Sequence, residues 1–242
     1  MSQNILLTGV SSGLGIETAR LLLADGKQVF GLSRQTSLGL NRLLVEYPKH
    51  FHWKAVDLNQ HEQLKSSIFQ QLIPTGTPIH GFINNAAIAY DDLITNLQLD
   101  RLSQLFAVNV LSPMLLTKWV IRNMLLHQQG GSIIHLSSIS AHTGYKGLSM
   151  YAATKGALEA FSKNTAREWG TRRIRSNCVV AGFMETAMSA GLSEDQKTRI
   201  YKRTSLKQAT EIASVAETIA FLLTEGASSI TGQALFVDSG TI

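Results

Sequence analysis

Apolar and polar positions along the chain alternate between two kinds of run. Short apolar runs at Asn4–Leu7, Gln28–Leu32 and His52–Val56 are each followed by a longer stretch with apolar residues at helical spacing: Leu14–Ala24, Leu38–Tyr47 and Glu62–Leu72. The order continues through Gly81–Ile83, a long helical region from Leu99 to Leu126, Ser132–Leu136, Tyr151–Trp169, Arg175–Val180, a helix near Glu211–Leu223 and Ala234–Val237. Strands without a polar face are covered on both sides, and parallel strands need crossover helices. The pattern therefore predicts one α/β domain over residues 1–242, a doubly wound Rossmann-type fold whose seven-stranded parallel sheet carries helices on both faces. No Pro-rich or Gly/Ser linker divides it. Residues 182–210 break the alternation, and Met184–Ser193 is rich in small residues and Met. A substrate loop or lid over about 184–207, above the carboxyl ends of the strands, is expected there, with a plain surface excursion as the alternative.

Composition narrows the class. A chain of 242 residues, 44% hydrophobic and 16% charged, can bury a core covered on both sides and is neither disordered nor a disulfide-stapled miniprotein. Its net charge of +5 permits an acidic partner: nucleic acid, a phosphorylated cofactor or an acidic carrier protein. The basic groups Lys163, Arg167, Arg172, Arg173 and Arg175, and Lys197, Arg199, Lys202, Arg203 and Lys207, form no continuous run with interleaved aromatics. They read as solvated helix faces, and no nucleic-acid partner is expected. The single Cys178 excludes an intramolecular disulfide, and the scattered histidines have no ligand spacing, so no metal is expected. Met114–Leu126, the longest apolar helical region, is broken by Lys118 and Arg122, and no basic segment precedes the first apolar run. The expectation is a cytoplasmic protein with no membrane partner.

Candidate chemistry begins at the first strand, which runs into Thr8-Gly9-Val10-Ser11-Ser12-Gly13-Leu14-Gly15 before helical periodicity sets in. Glycines at 9, 13 and 15 let the backbone turn sharply and approach a pyrophosphate, whose charge a helix N-terminus meets. The second strand ends at Ser33-Arg34, where an acidic residue would bind the ribose 2′-hydroxyl of NAD. No carboxylate is there. Arg34 suits a 2′-phosphate, and Ser33 can add a hydrogen bond, so NADP(H) is preferred over NAD(H); an ordinary loop cation is the alternative. Asp57 and Leu58, after the third strand, are candidates for the adenine, unless Asp57 caps a helix.

Tyr151 and Lys155 lie at i and i+4 of a predicted helix and share a face. A phenol with a reference pKa of about 10 needs a neighbouring positive charge to work near neutrality, and Lys155 can supply it. Ser138, just beyond the fifth predicted strand, can hold a carbonyl oxygen beside the tyrosine.

Together with Asn84-Asn85-Ala86-Ala87, Asn109, Ser138 and Tyr151-Ala152-Ala153-Thr154-Lys155, the glycine loop resembles that of a short-chain dehydrogenase/reductase along essentially the whole chain. The segments Ala181–Thr186 and Thr231–Gly240 are similar to its 3-oxoacyl-acyl-carrier-protein reductase branch, a role in fatty acid biosynthesis. The resemblance implies that Tyr151 is the general acid, Lys155 lowers its pKa and bonds the nicotinamide ribose, Ser138 polarises the carbonyl and Asn109 holds a relay water. It implies that Asn85 and Ala86 lie against the cofactor ribose and that Gly182 and Met184 lie near the nicotinamide carboxamide. A homotetramer (or homodimer) using the Leu99–Leu126 and Tyr151–Trp169 helices is implied too. The implied substrate is a small molecule or a 3-oxoacyl thioester, presented by a carrier protein at Arg172 and Arg173 near the site entrance. Another ketone, such as a sugar or polyketide, and a non-catalytic NADP-binding regulator are the other readings. The sequence departs from the pattern at Ala87, in place of glycine, at Ala181, in place of proline, and at Ser12, where many NADP-dependent relatives carry a basic residue.

Overall fold

The structure, a computed structural model, describes residues 2–186, Ser189 and 191–242. The doubly apolar runs form β1 (Asn4–Thr8), β2 (Gln28–Ser33), β3 (Phe51–Ala55), β4 (Gly81–Asn84), β5 (Gly131–Ser138), β6 (Ile174–Ala181) and β7 (Ala234–Val237). They pair in parallel in the order β3-β2-β1-β4-β5-β6-β7. The helices are α1 (Gly13–Ala24), α2 (Leu38–Glu46), α3 (His61–Ser66), α4 (Leu99–Phe106), α5 (Ser112–Leu126), α6 (Ser149–Trp169), α7 (Glu194–Arg203) and α8 (Ile212–Leu222).

Alternation along the central strands feeds two cores. Ile5, Leu7, Ile83, Ile134 and Val179 pack with Leu22 of α1 and Val215 of α8, whereas Leu6, Phe82 and Ile133 pack with Leu64 of α3 and Val120 of α5. Strand order reverses at β1, with β2 on one side and β4 on the other. The crevice outside the carboxyl ends at such a reversal is where open α/β sheets bind ligands.

Four features refine the expected elements. The stretch from Leu99 to Leu126 is α4 and α5 joined by a π-helical turn, Ala107–Leu111. It is long and apolar enough, at a mean hydropathy of 1.3, to cross a membrane by length and composition, yet α5 packs on β4 and α3. Strand β5 runs two residues further than predicted, so Ser138 ends the strand, paired with Ala181 of β6, rather than following it. The third helix, predicted as Glu62–Leu72, is α only to Ser66 and continues as a π-helical turn, Ser67–Leu72. Within the expected lid, α7 opens on a reciprocal capping box between Ser193 and Gln196, and it buries no residue fully. Its Tyr201 ring leans on Phe183, 6.1 Å between centroids, and its hydroxyl donates to Glu185. Ala187, Met188 and Ala190 of that expected lid lie outside the described residues.

Candidate active site

A cleft of about 310 Å³ opens at the β1/β4 reversal. Gly9, Ser11, Ser12, Gly13, Leu14, Ser33, Arg34, Asp57, Leu58, Asn85 and Ala86 all line it. The cradle is made by backbone proximity. Gly9 has φ +78°, and a Cβ there would stand 2.6 Å from Asn85 Nδ2 and 3.0 Å from the Ala86 backbone. A Cβ on Gly15 would fall 1.9 Å from the Gly9 carbonyl oxygen, so Gly15 lets α1 close against the loop and does not itself line the cleft. Asn85 Nδ2 donates to the carbonyls of Thr8 and Gly9 at 3.0 and 3.2 Å, and Thr8 Oγ1 accepts from the Asn85 and Ala86 amides, both at 3.0 Å. Ser12, the N-cap of α1, makes no side-chain cap bond, and the first turn holds no acidic residue, so the N–H groups there face the cleft without a competing anion.

At the β2 end, Arg34 is exposed and pairs with no carboxylate among the described residues. Ser33 is different. Its hydroxyl donates to Gln35 O and accepts from Trp53 Nε1, both at 2.8 Å, which leaves Arg34 as the open polar group at this end. Asp57 Oδ1 accepts from the Asn59 amide at 2.9 Å in a local turn; it does not cap α3, whose N-cap is Gln60. Residues not singled out by motif also line the cleft, namely Leu32, Val56, Ile88, Gln104 and Val108, as do Ala87 and Thr186 of the quoted motifs. Thr186, whose Cγ2 lies 3.4 Å from a Cβ built on Gly13, brings the segment after β6 over the glycine loop. The cradle and the open start of α1 together fit the pyrophosphate of a dinucleotide.

Besides Gly15, four expected cofactor contacts do not line the cleft: Tyr151 and Lys155, on α6, and Gly182 and Met184. A Cβ on Gly182 would meet Thr210 Oγ1 at 2.3 Å and the Asp238 backbone at 2.6 Å, so its glycine serves the packing of β6 against the end of β7. Met184 is partly buried against the α1/α8 core.

Ile88 joins the cleft to the face of α6 that carries Tyr151 and Lys155. Its N–H donates to Asn109 Oδ1 and its carbonyl accepts from Asn109 Nδ2, both at 2.9 Å, while Asn109 Nδ2 also reaches Thr154 Oγ1 at 3.2 Å. The π turn presents Asn109 there, and its amide is committed to protein partners. Thr154 Oγ1 in turn donates to Tyr151 O at 2.7 Å. Tyr151 packs beside Ile88 on the small cluster of Tyr90, Leu105 and Met150. Burial, then the Asp91 carboxylate, raises its phenol above the ordinary range. Lys155, only 3% exposed, donates to Leu136 O at 2.7 Å, and its Nζ stands 5.4 Å from the Tyr151 ring centroid. Burial lowers its pKa to about 8. Ser138 Oγ accepts from the Ser140 amide at 3.2 Å, capping the short 3₁₀ turn after β5.

Arg172 and Arg173 are not at the site entrance. They precede Ile174 at the amino end of β6, whose eight residues span about 26 Å before reaching Ala181 beside Ser138. The reason is helix length: α6 carries the chain for 21 residues, about 31 Å, back along the sheet.

A doubly wound sheet with a glycine-shaped cradle at its reversal and a Tyr/Lys helix beside it defines a nucleotide-dependent oxidoreductase. Residues 9–241 match a family model described as enoyl-(acyl carrier protein) reductase. The chain belongs to the short-chain dehydrogenase/reductase family of oxidoreductases, whose members bind nicotinamide cofactors. It is 32% identical over 240 residues to the L-xylulose reductase of Caenorhabditis elegans, covering 98% of this chain and 95% of that one. It is 30% identical to the 3-oxoacyl-acyl-carrier-protein reductase FabG of Chlamydia pneumoniae, covering 99% and 97%. In fold it is similar to 4-hydroxyisoleucine dehydrogenase complexed with NADH (TM-score 0.91, 24% identity, 99% and 98% covered). It is also similar to ElxO with NADP bound (TM-score 0.89, 24% identity, 100% and 99% covered).

Proposed function

We propose that the chain is an NADP(H)-dependent reductase that converts a ketone to a secondary alcohol, with a 3-oxoacyl thioester as its substrate. The observation that carries the reaction type is the single helical face of α6, on which Tyr151 and Lys155 stand beside the end of β5 at Ser138. NADP(H) is favoured by Arg34, which is exposed at the cleft's β2 end and pairs with no carboxylate among the described residues. Gly9, Ser11, Ser12, Gly13 and Leu14 would hold the pyrophosphate, Arg34 the 2′-phosphate, Asp57 and Leu58 the adenine, and Asn85 and Ala86 the ribose side. When bound, the nicotinamide nucleotide supplies the hydride.

The protein's own part is proton delivery and geometry. Burial keeps the proton on Tyr151 at neutral pH, so the phenol is available to a carbonyl oxygen that gains negative charge. Lys155, with a pKa of about 8, is mostly ammonium at neutrality, and its charge favours proton release from the phenol as the reaction proceeds. Ser138 orients the carbonyl by a hydrogen bond. Asn109 acts through Ile88 and Thr154 as a positioning residue. The segment 184–207 is the substrate loop, and a homotetramer is the assembly we favour. The thioester assignment draws on the FabG likeness. Because a xylulose reductase is matched as closely, a sugar ketone is the second reading.

Reduction of acetoacetyl thioesters, sugars and hydrophobic ketones with NADPH and with NADH, followed at the nicotinamide absorbance, tests this reading. Tyr151→Phe should lower kcat on any accepted ketone by about 100- to 10,000-fold with NADPH affinity kept. An unchanged kcat would remove Tyr151 from proton transfer, and turnover of sugars alone would replace the thioester.

A further inference from the structure

One acidic side chain beside Tyr151 and Lys155 takes no part in proton delivery or cofactor binding. Glu159 stands one turn beyond Lys155, so Tyr151, Lys155 and Glu159 recur every four residues along one stripe of α6. Its side chain is only 16% exposed. A carboxylate in that setting requires donors, and it has two. Ser137 Oγ donates to Oε1, and His142 Nε2 lies 3.0 Å from Oε1 and 2.8 Å from Oε2.

Those donors flank Ser138, one residue before it and four after. Lys155 already fixes the same helical stripe to Leu136 O, two residues before Ser138. The far side of His142 is closed by Phe236 of β7, edge to face at 4.7 Å between ring centroids. Residues 136, 137 and 142 are thus fastened to α6, while Ser138, half-buried, caps its own 3₁₀ turn. Packing of α6 on β5 needs no charge at this position; an apolar residue would seal it.

We propose that Glu159 is a positioning residue: by gripping Ser137 and His142 together, its carboxylate holds the Ser138 segment in register with Tyr151 and Lys155. The catalytic part of this inference rests on the reductase reading. Misplacing a reacting group by about 1 Å costs up to about 100-fold in rate, so a grip of this kind acts on kcat more than on binding. It also has an electrostatic side. The groups facing Glu159 are His142 from the loop, Lys155 from α6 and Cys178 from β6; those facing Lys155 are Glu159, Cys178, Tyr151 and His135 of β5. The carboxylate favours the Lys155 ammonium, so its removal moves the basic limb of kcat to lower pH.

Glu159→Gln keeps the side chain's size and removes its charge, and His142→Phe keeps the ring on Phe236 while removing one donor. Each should raise amide hydrogen exchange over residues 139–148 in the protein without substrate. Glu159→Gln should also lower kcat for ketone reduction by about tenfold, with KM and NADPH affinity within about twofold, and should shift the basic limb. Unchanged exchange in both variants overturns the grip. Raised exchange with an unchanged kcat and limb overturns its catalytic role. If the parent reduces no ketone while exchange still rises in the variants, the reductase reading fails and the grip stands.

Discussion

The cleft at the β1/β4 reversal is shaped by backbone, whereas the face of α6 beside it is shaped by side chains. In the cleft, Gly9 and Gly15 make room by lacking a Cβ, and Asn85 uses its amide to bind two loop carbonyls rather than to face outward. On α6, every feature is a functional group at a definite spacing: the Tyr151 phenol, the Lys155 ammonium and the Glu159 carboxylate. The two regions therefore break differently. Added volume disrupts the first, and a change of chemistry at constant volume disrupts the second.

Gly15→Ala is the sharpest way to separate them. Its methyl would lie 1.9 Å from the Gly9 carbonyl oxygen and 2.6 Å from Asn85 Nδ2, a clash with backbone that no rotamer relieves. The expected cost is about 3 kcal/mol of stability, together with loss of nucleotide binding, because the loop and α1 must part. Thermal melting and nucleotide titration would read this. Near-parental values for both would show that the cradle yields, and the contrast with α6 would then collapse.

How far each region can be read from sequence follows from the same difference. The β/α alternation is legible because strands covered on both faces appear as unbroken apolar runs, as at Ile5-Leu6-Leu7. Tyr151 and Lys155 are legible because helical spacing is local. What depends on distant neighbours is hidden. The commitment of the Ser33 hydroxyl needs Trp53, twenty residues on, and the role of the Asn109 amide needs Ile88 and a π turn that no periodicity announces. Arg172 and Arg173 are misread as lying at the site entrance unless the 21 residues of α6 are converted into length. The capping box of α7, Ser193 with Gln196, is spelled out in the sequence but overshadowed by the small residues that precede it.

A smaller effect separates the two regions by pH. His135 on β5 lies under α6 between Phe82 and Phe161, with ring centroids at 6.2 and 5.7 Å, fully buried and with no polar partner for either ring nitrogen among the described residues. Burial, reinforced by Lys155, pushes its pKa down to about 3. The unfolded chain then binds the extra proton first, so the stability from neutral His135 is complete above about pH 6.5 and is lost as pH falls toward 3. Between pH 6.5 and 5 the loss is about 2 kcal/mol. His52 and His80, also lowered by burial, act in the same direction, so the difference between parent and His135→Leu isolates this group. Denaturant midpoints at the two pH values should converge in the variant relative to the parent. Equal slopes would mean that the ring is hydrated and that the α6 side is not dry.

The smallest expected effect falls on an exposed side chain at the rim of the cradle. Arg34 is exposed, while Ser33 is already bonded to Gln35 and Trp53, so any preference for a 2′-phosphate rests on a single guanidinium. An ion pair in that position keeps its hydrogen-bond geometry but is screened by salt. Arg34→Asp should weaken NADPH binding by about tenfold or more and leave NADH within about twofold, since the new carboxylate repels the phosphate and can accept from a ribose hydroxyl. In the parent, the NADPH-over-NADH preference should shrink as ionic strength rises. A preference that ignores salt and survives Arg34→Asp would assign the discrimination to backbone N–H groups of the glycine loop. The phosphate selectivity would then be backbone-made, like the shape of the cradle.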